Sequence, residues 1–366
     1  MARKLKSDKL LFLATFVLVC MSVVMVYSAS AVLAMDTLGN AYYYLFKQGA
    51  WAVLGLFMLV LVMRLDYRNL RQPVVIWTAL GVVAVALVLV LFMPARNGSH
   101  RWFSMGGITL QPSELAKLAI VLFTAALLER RMHRIDEVGY SLVPIGIATG
   151  LVAGLVLIEP DFGTALSILA IVCVMVFAAG ISYRYIVGTA LLMLPLLSVV
   201  LLAAPYRRRR ILSFLNPEAD PLGAGYQAIQ SKIAVGKGGF FGEGVMEGTQ
   251  KLFYLPEPHT DFIFAVIGEE LGLIGASLIV ICFLVIAWRG FRAAVLAPDR
   301  FGAFLAVGLT TMVVLQAFFN ISVVLGLVPN KGIPLPFVSA GGSSLLINLM
   351  GMGILLNVSQ HATASG

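Results

Sequence analysis

The sequence predicts an all-α integral membrane protein. It reads as a bundle of about ten transmembrane helices with a large extracytoplasmic loop between helices 7 and 8. Three observations carry this. The 366-residue chain is 60% hydrophobic and only 12% charged, where a soluble domain carries about 25% charged residues. Its mean hydropathy is +0.95. Apolar runs long enough to cross a bilayer, which takes about 20 residues, recur from end to end, with one long polar interruption at 205–260.

The predicted spans are residues 10–34, 44–63, 73–93, 112–128, 141–158, 162–179, 185–204, 262–288, 301–325 and 342–358. The basic start, the run from Leu10 to Tyr27 and the small residues Ser28-Ala29-Ser30-Ala31 resemble a secretory signal. The run exceeds the usual signal core of about 7–15 residues, so it is read as a retained first span. Pro112 suits the first position of the fourth helix. Residues 1–366 form a single polytopic domain, with no internal repeat and no soluble module.

Orientation follows from Lys and Arg in short connections. Arg3, Lys4, Lys6 and Lys9 precede the first span. Arg64, Arg68 and Arg71 follow the second, Arg130, Arg131 and Arg134 the fourth, Arg184 the sixth, and Arg289, Arg292 and Arg300 the eighth. Ten alternating spans put all of these on one side, the cytoplasm, together with both termini. The net charge of +8 is thereby absorbed, and nucleic acid is excluded as a partner because no basic domain or aromatic-basic module is present. The run Arg207-Arg208-Arg209-Arg210 falls on the outer side. It reads either as a belt at anionic headgroups or as an anion site.

Cys20, Cys173 and Cys282 lie in apolar runs without a paired motif and are packing residues. His100, His133, His259 and His361 have no metal-ligand spacing. The glycines at 236, 238, 239, 242, 244 and 248 lack the spacing of a phosphate-binding loop. They read as a flexible connector or, less simply, a phosphate cradle. Gly268 and Gly272 suit close helix packing. On a straight helix Glu269 and Glu270 would lie about 12–14 Å beyond Asp261, which assigns them pairing or capping roles.

Ionisable residues at membrane depth are costly and are functional candidates. Arg101, Glu114, Lys117, Asp161, Asp261 and Lys331 come from separate parts of the chain, yet all map to the outer leaflet. Glu114 and Lys117, three apart, either neutralise each other structurally or serve a site. His259 either orients Asp261 or a sugar, or is structural. Asp261 has no cationic partner nearby in sequence. Cations at headgroup level can hold a diphosphate as a leaving group, a carboxylate can act as general base on a hydroxyl, and spans can hold a lipid tail. A lipid-diphosphate sugar donor fits all three demands.

The same residues carry a family resemblance across nearly the whole chain. They are Tyr27-Ser28-Ala29-Ser30, Gly98-Ser99-His100-Arg101-Trp102, Gln111-Pro112-Ser113-Glu114-Leu115-Ala116-Lys117 and Glu159-Pro160-Asp161-Phe162-Gly163-Thr164. Asp220-Pro221-Leu222-Gly223-Ala224-Gly225-Tyr226-Gln227, the run from Leu255 to Ala265, and Leu335-Pro336-Phe337-Val338-Ser339-Ala340-Gly341-Gly342-Ser343 complete the set. The chain resembles the SEDS family (shape, elongation, division and sporulation). Pro329-Asn330-Lys331-Gly332 and the run from Gln250 to Pro256 resemble its FtsW branch, and Gln230-Ser231-Lys232-Ile233-Ala234 its RodA branch; the FtsW branch is preferred. Ala340 departs from the aromatic residue the family often places there.

The resemblance implies a peptidoglycan glycosyltransferase that polymerises lipid II at the outer face of the bacterial cytoplasmic membrane, at the division septum. It implies Asp261 as the catalytic base, undecaprenyl diphosphate as leaving group, and substrate contacts from Arg101, Glu114, Lys117, Asp161, His259, Lys331, Ser339 and Ser343. It further implies Mg2+ or Mn2+ as cofactor, and a class B penicillin-binding transpeptidase and other divisome proteins as partners. The competing readings are a lipid II flippase, which would need polar groups at several depths, and a non-catalytic division scaffold.

Overall fold

The computed structural model describes residues 7–94, 99–105, 108–135, 137–182, 205–223, 225–252, 254–330 and 332–362, with single positions between 184 and 199. Six helices come first: α1 (Lys9–Leu38), α2 (Tyr43–Met63), α3 (Pro73–Val90), α4 (Pro112–Arg131), α5 (Val138–Ile158) and α6 (Phe162–Ala178). After the long polar segment, which holds α7 (Pro205–Leu215) and α8 (Tyr226–Lys237), come α9 (Ile263–Val295), α10 (Arg300–Val324) and α11 (Gly342–Ala362). Nine of the ten predicted spans thus appear as helices, eight within about four residues of their expected bounds and the eighth span running on to Val295. The seventh, 185–204, lies for the most part outside the described residues, as do Arg3, Lys4, Lys6 and Lys331.

Two features set the architecture. The central helices α4, α10 and α11 are buried along most of their length, whereas α2 and α3 turn Phe46, Val53, Phe57, Val74 and Trp77 outward. Outward apolar side chains suit lipid as solvent. At one end of the bundle, contacts join the segments that the charge pattern assigns to the cytoplasm. Arg289 pairs with Asp8, Arg71 with Glu129, and Arg68 with Asp299. Tyr67 receives His361 against its ring there.

The opposite end carries a small hairpin absent from the sequence prediction. Its strands β1 (Phe103–Met105) and β2 (Ile108–Leu110) are antiparallel, with Phe103 opposite Leu110. The hairpin leaves Arg101 and Gln111 together at its base.

One sequence expectation is corrected. Residues 263–295 do not form one straight helix: Gly272 adopts φ 62° and ψ −159° and breaks α9. A continuous helix of this length would run about 50 Å at 1.5 Å per residue, well beyond a hydrocarbon core of about 30 Å. The break leaves backbone groups that need partners, and the glycine-rich segment supplies them. Glu243 and Gly244 amides donate to the Glu269 and Glu270 carbonyls, both at 3.0 Å. The Leu273 amide donates to the Gly239 carbonyl at 2.9 Å, and Ile274 to Phe240 at 3.3 Å. The segment is therefore a strap locked into the break, not a flexible connector.

Glu269 and Glu270 lie in the last turn of the helix before that break. Glu269 accepts from the Thr249 and Gln250 amides at 2.9 and 3.1 Å. Glu270 pairs with buried Lys251 at 2.5 Å and accepts from Ser28 at 2.6 Å. The expected capping and pairing roles take this form.

Candidate functional site

Four segments meet at the hairpin end: the hairpin base, the α5–α6 turn, residues 257–262 and the loop before α11. A continuous series of polar contacts ties them. The Arg101 guanidinium donates to the Glu159 carbonyl at 3.1 Å and to the Pro160 carbonyl. It also stands 4.0 Å from the Asp161 carboxylate. Asp161 caps α6, accepting from the Thr164 amide at 3.1 Å, from its hydroxyl at 2.9 Å, and from Gln111 Nε2 at 3.2 Å. The Gln111 amide donates to Ser343 Oγ at 3.3 Å.

Glu114 and Lys117 form an ion pair of 2.9 Å with both side chains 3% exposed. Lys117 also donates to Gln316 Oε1 at 2.6 Å, and Ser344 donates to Glu114 at 3.1 Å. Gln316 in turn reaches the Pro334 carbonyl at 2.9 Å. A buried charge pair needs this degree of satisfaction. The pair is sealed behind the site and fixes α4, α10 and the loop before α11 to one another.

Asp261 stands among these segments and is half-buried. Asn320 donates to the Asp261 carbonyl and the Ile333 carbonyl, both at 2.8 Å. Ser339 donates to the Thr260 carbonyl at 2.6 Å and accepts from the Leu335 amide at 2.7 Å. The Ala340 amide donates to the His259 carbonyl at 2.9 Å. The backbone beside Asp261 is thus held on both sides, while its half-buried carboxylate takes no hydrogen bond or ion pair from the described residues. A methyl group on Gly332 would stand 3.0 Å from Asp261 Oδ2, so that glycine lets the loop approach the carboxylate.

The electrostatics match this geometry. Burial, then the Glu257 carboxylate, pushes the Asp261 carboxyl up to about 7, against the opposing pull of Arg210 and Arg101. His259 is buried, packs on the Tyr44 ring at 4.9 Å, and leaves Nδ1 without a hydrogen-bond partner among the described residues. Burial lowers its pKa, so the ring is neutral.

The structure therefore brings Arg101, Asp161, His259, Asp261, Ser339 and Ser343 to one end of the bundle and places Glu114 and Lys117 directly behind them. Lys331 lies outside the described residues. Sequence reasoning missed Gln111, Gln316, Asn320 and Ser344 as wall residues. For Gln316, Asn320 and Ser344 the signal was a polar amide or hydroxyl group inside an otherwise apolar run. It also passed over Glu159, whose fully buried carboxyl has no hydrogen-bond partner among the described residues. Burial, then Asp161, raises that carboxyl to about 8, so it is neutral at pH 7.

Fold and site together define a polytopic membrane protein with a poised carboxylate at one bundle end, flanked by cations. The family of cell cycle proteins comprising FtsW, RodA and SpoVE matches residues 8–364, and the chain belongs to this family, the SEDS proteins. A relative from Geobacter metallireducens, "Probable peptidoglycan glycosyltransferase FtsW", is 44% identical over 96% of this chain and 94% of its own. "Stage V sporulation protein E" of Bacillus subtilis is 43% identical over 98% and 99%. Among solved structures, a chain from "Structural coordination of polymerization and crosslinking by a peptidoglycan synthase complex" matches with TM-score 0.80, 33% identity and coverage of 98% and 99%. The rod shape determining protein RodA of Thermus thermophilus matches with TM-score 0.72, 28% identity and 97% coverage of both chains.

Proposed function

We propose that this peptidoglycan glycosyltransferase polymerises lipid II with Asp261 as its general base. One observation carries the assignment: Asp261 is the partly open carboxylate of the cluster, unbonded among the described residues and raised to about 7, whereas Asp161 and Glu114 are buried and engaged. A general base works best with a pKa near the operating pH.

In this reading, Asp261 takes the proton of an acceptor sugar hydroxyl. The freed oxygen forms a bond to the donor's anomeric carbon. The bond from that carbon to the diphosphate oxygen breaks, and undecaprenyl diphosphate leaves with the electron pair. The wall contacts from Asn320 and Ser339 hold the base in place, which matters because misplacement by about 1 Å can cost about 100-fold.

Mg2+ or Mn2+ remains a proposal with a narrow form. Among the described residues no group of three or more His, Cys, Asp or Glu side chains could cage an ion. Mg2+ commonly sits on one or two carboxylates plus substrate phosphates, and Asp261 is the residue that would offer a carboxylate. When bound, the ion would neutralise diphosphate charge.

The site end faces outward in this reading, with both termini in the cytoplasm and the protein at the division septum. A class B penicillin-binding transpeptidase and other divisome proteins are its partners. The relative seen in a peptidoglycan synthase complex supports the first partner. Fluorescent lipid II given to purified wild type and Asp261→Asn protein with that transpeptidase tests the assignment. Glycan polymer should form only with the wild type; equal polymer from both would remove Asp261 from the reaction.

A further inference from the structure

Hydropathy puts the strap from Gly238 to Gly248 in the polar segment outside the bilayer, but its contacts carry its tip deeper. The Gly239 and Phe240 carbonyls accept from the Leu273 and Ile274 amides, beyond the break in α9. The Glu243 and Gly244 amides return to the carbonyls of Glu269 and Glu270, before the break. The strap thus descends along α9, turns at Phe240-Phe241 and climbs back. Gly239 at φ 53° and Gly242 at φ 79° flank the turn.

Two contacts between α1 and α9 measure the depth. Asp8, the cap of α1, pairs with Arg289 of α9, and Ser28 of α1 donates to Glu270 of α9. Helix α1 spans about 30 Å between these contacts at 1.5 Å per residue, the thickness of a hydrocarbon core. The Asp8–Arg289 charges, with exposed Trp288 beside them, mark one border of that core. The Ser28–Glu270 contact then lies at the opposite border. Ile274 is only about 22 Å from Arg289 along α9, so the Phe240 carbonyl bonded to its amide lies inside that border. Helix tilt shortens the projected distance and moves both further in.

The side chains at this level are apolar and turned outward. Phe240 is 71% and Phe241 84% exposed. Leu273 and Ile274 beside them are exposed, and Leu278 and Ile281 continue the same outward stripe down α9. The charged residues of the strap stand nearer the border. Lys237 pairs with Glu243 at 2.7 Å, and Glu247 is exposed.

We propose that Phe240 and Phe241 insert into the acyl chains of the leaflet at the site end, so that the tip of the strap is embedded in lipid. Irregular backbone at membrane depth is tolerated against protein partners, which the broken helix supplies. The occupant is the hydrocarbon of the bilayer, because the tip continues the lipid-facing stripe of α9 below the border. Insertion sets the depth of the helical segment that follows Asp261, whatever reaction Asp261 performs.

The test uses the full chain with Cys20, Cys173 and Cys282 replaced by Ala. Single cysteines are introduced as Phe240→Cys, Phe241→Cys, Ile281→Cys on the lipid-facing stripe, and Glu218→Cys in the polar segment. Each variant is checked for the melting temperature and lipid II polymerisation of its cysteine-free parent. Nitroxide labels are read by electron paramagnetic resonance in phosphatidylcholine nanodiscs, without partner protein. Oxygen reports hydrocarbon exposure, and nickel ethylenediaminediacetate reports water exposure. The oxygen-to-nickel ratio at Phe240 and Phe241 should match Ile281 and exceed Glu218 by about tenfold, because the bilayer core holds no water. A ratio matching Glu218 overturns the proposal. If added transpeptidase then shields those labels, the face is a protein-docking surface instead. Shielding from both reagents in the isolated protein also overturns it, because the tip is then covered by protein rather than lipid.

Discussion

Lys117 and Glu114 face each other at 2.9 Å inside the protein, with 3% of each side chain exposed. Both ions are removed from water, and Gln316 and Ser344 complete their hydrogen bonding. Removing one partner of such a pair typically costs about 3–5 kcal/mol, because the other charge is left uncompensated. Lys117→Met should therefore lower the melting temperature sharply, and Glu114→Gln combined with Lys117→Met should recover much of the loss. Thermal unfolding of the detergent-purified single and double variants checks this; a double variant as unstable as the single one would contradict it.

Asp261→Asn should reduce polymerisation by about 100-fold to 10,000-fold, the usual contribution of a general base, with no loss of stability. The wild-type rate should fall tenfold per pH unit below about 7, because burial raises the carboxyl to about 7 and only its ionised form takes a proton. A polymerisation rate that is flat from pH 5 to pH 8 would exclude this carboxylate as the titrating base.

Glu159 gives an opposite signature, in stability rather than rate. Its carboxyl is raised from about 4.5 to about 8, chiefly by burial. The folded state therefore holds the proton more tightly than the unfolded chain. Stability is fully present below pH 4.5 and is lost as pH rises through about 8. Glu159→Gln should flatten that dependence and raise stability near pH 8 by roughly 2–4 kcal/mol. Melting temperatures of the two proteins from pH 5 to pH 9 provide the comparison.

Gly242 sits in the strap that fills the break in α9, with φ +79°, and a methyl there would collide with the Glu270 carbonyl. Both the backbone conformation and the contact forbid a side chain. Gly242→Ala should cost on the order of 3 kcal/mol or more through strain and displaced hydrogen bonds. Hydrogen exchange should show faster exchange at the Glu243, Gly244 and Leu273 amides. Unchanged protection at these amides would refute the strap's role.

A methyl on Gly332 would stand 3.0 Å from Asp261 Oδ2. Gly332→Val should therefore impair turnover more than Gly332→Ala, without the stability loss expected of Gly242→Ala. Polymerisation rates and melting temperatures of the two variants, measured together, separate crowding at the carboxylate from general damage.

Much of the site was legible in the sequence because charge at membrane depth is conspicuous: Arg101, Asp161 and Asp261 were visible as expensive residues before any fold was known. The wall residues Gln316 and Asn320 were not. A single amide inside a long apolar span has the same local signature whether it faces the site, another helix or lipid. The break at Gly272 was hidden for a related reason. Gly268 and Gly272 are compatible with a continuous close-packed helix, and only the strap from Gly239 to Gly244 supplies the partners that make a break affordable.

The sequence alone determined the spans, the end of the bundle at which the unusual charges gather, and Asp261 as the residue to explain. Hydropathy, basic loops and misplaced carboxylates act locally, so they can be read along the chain. Tertiary structure alone decided which charges are spent and which remain available. Lys117 is consumed by Glu114, Arg101 is turned onto backbone carbonyls, and the Asp261 carboxylate is left without a hydrogen bond or ion pair among the described residues. Those outcomes depend on contacts between residues far apart in the chain, where packing fixes which partner each charged group meets.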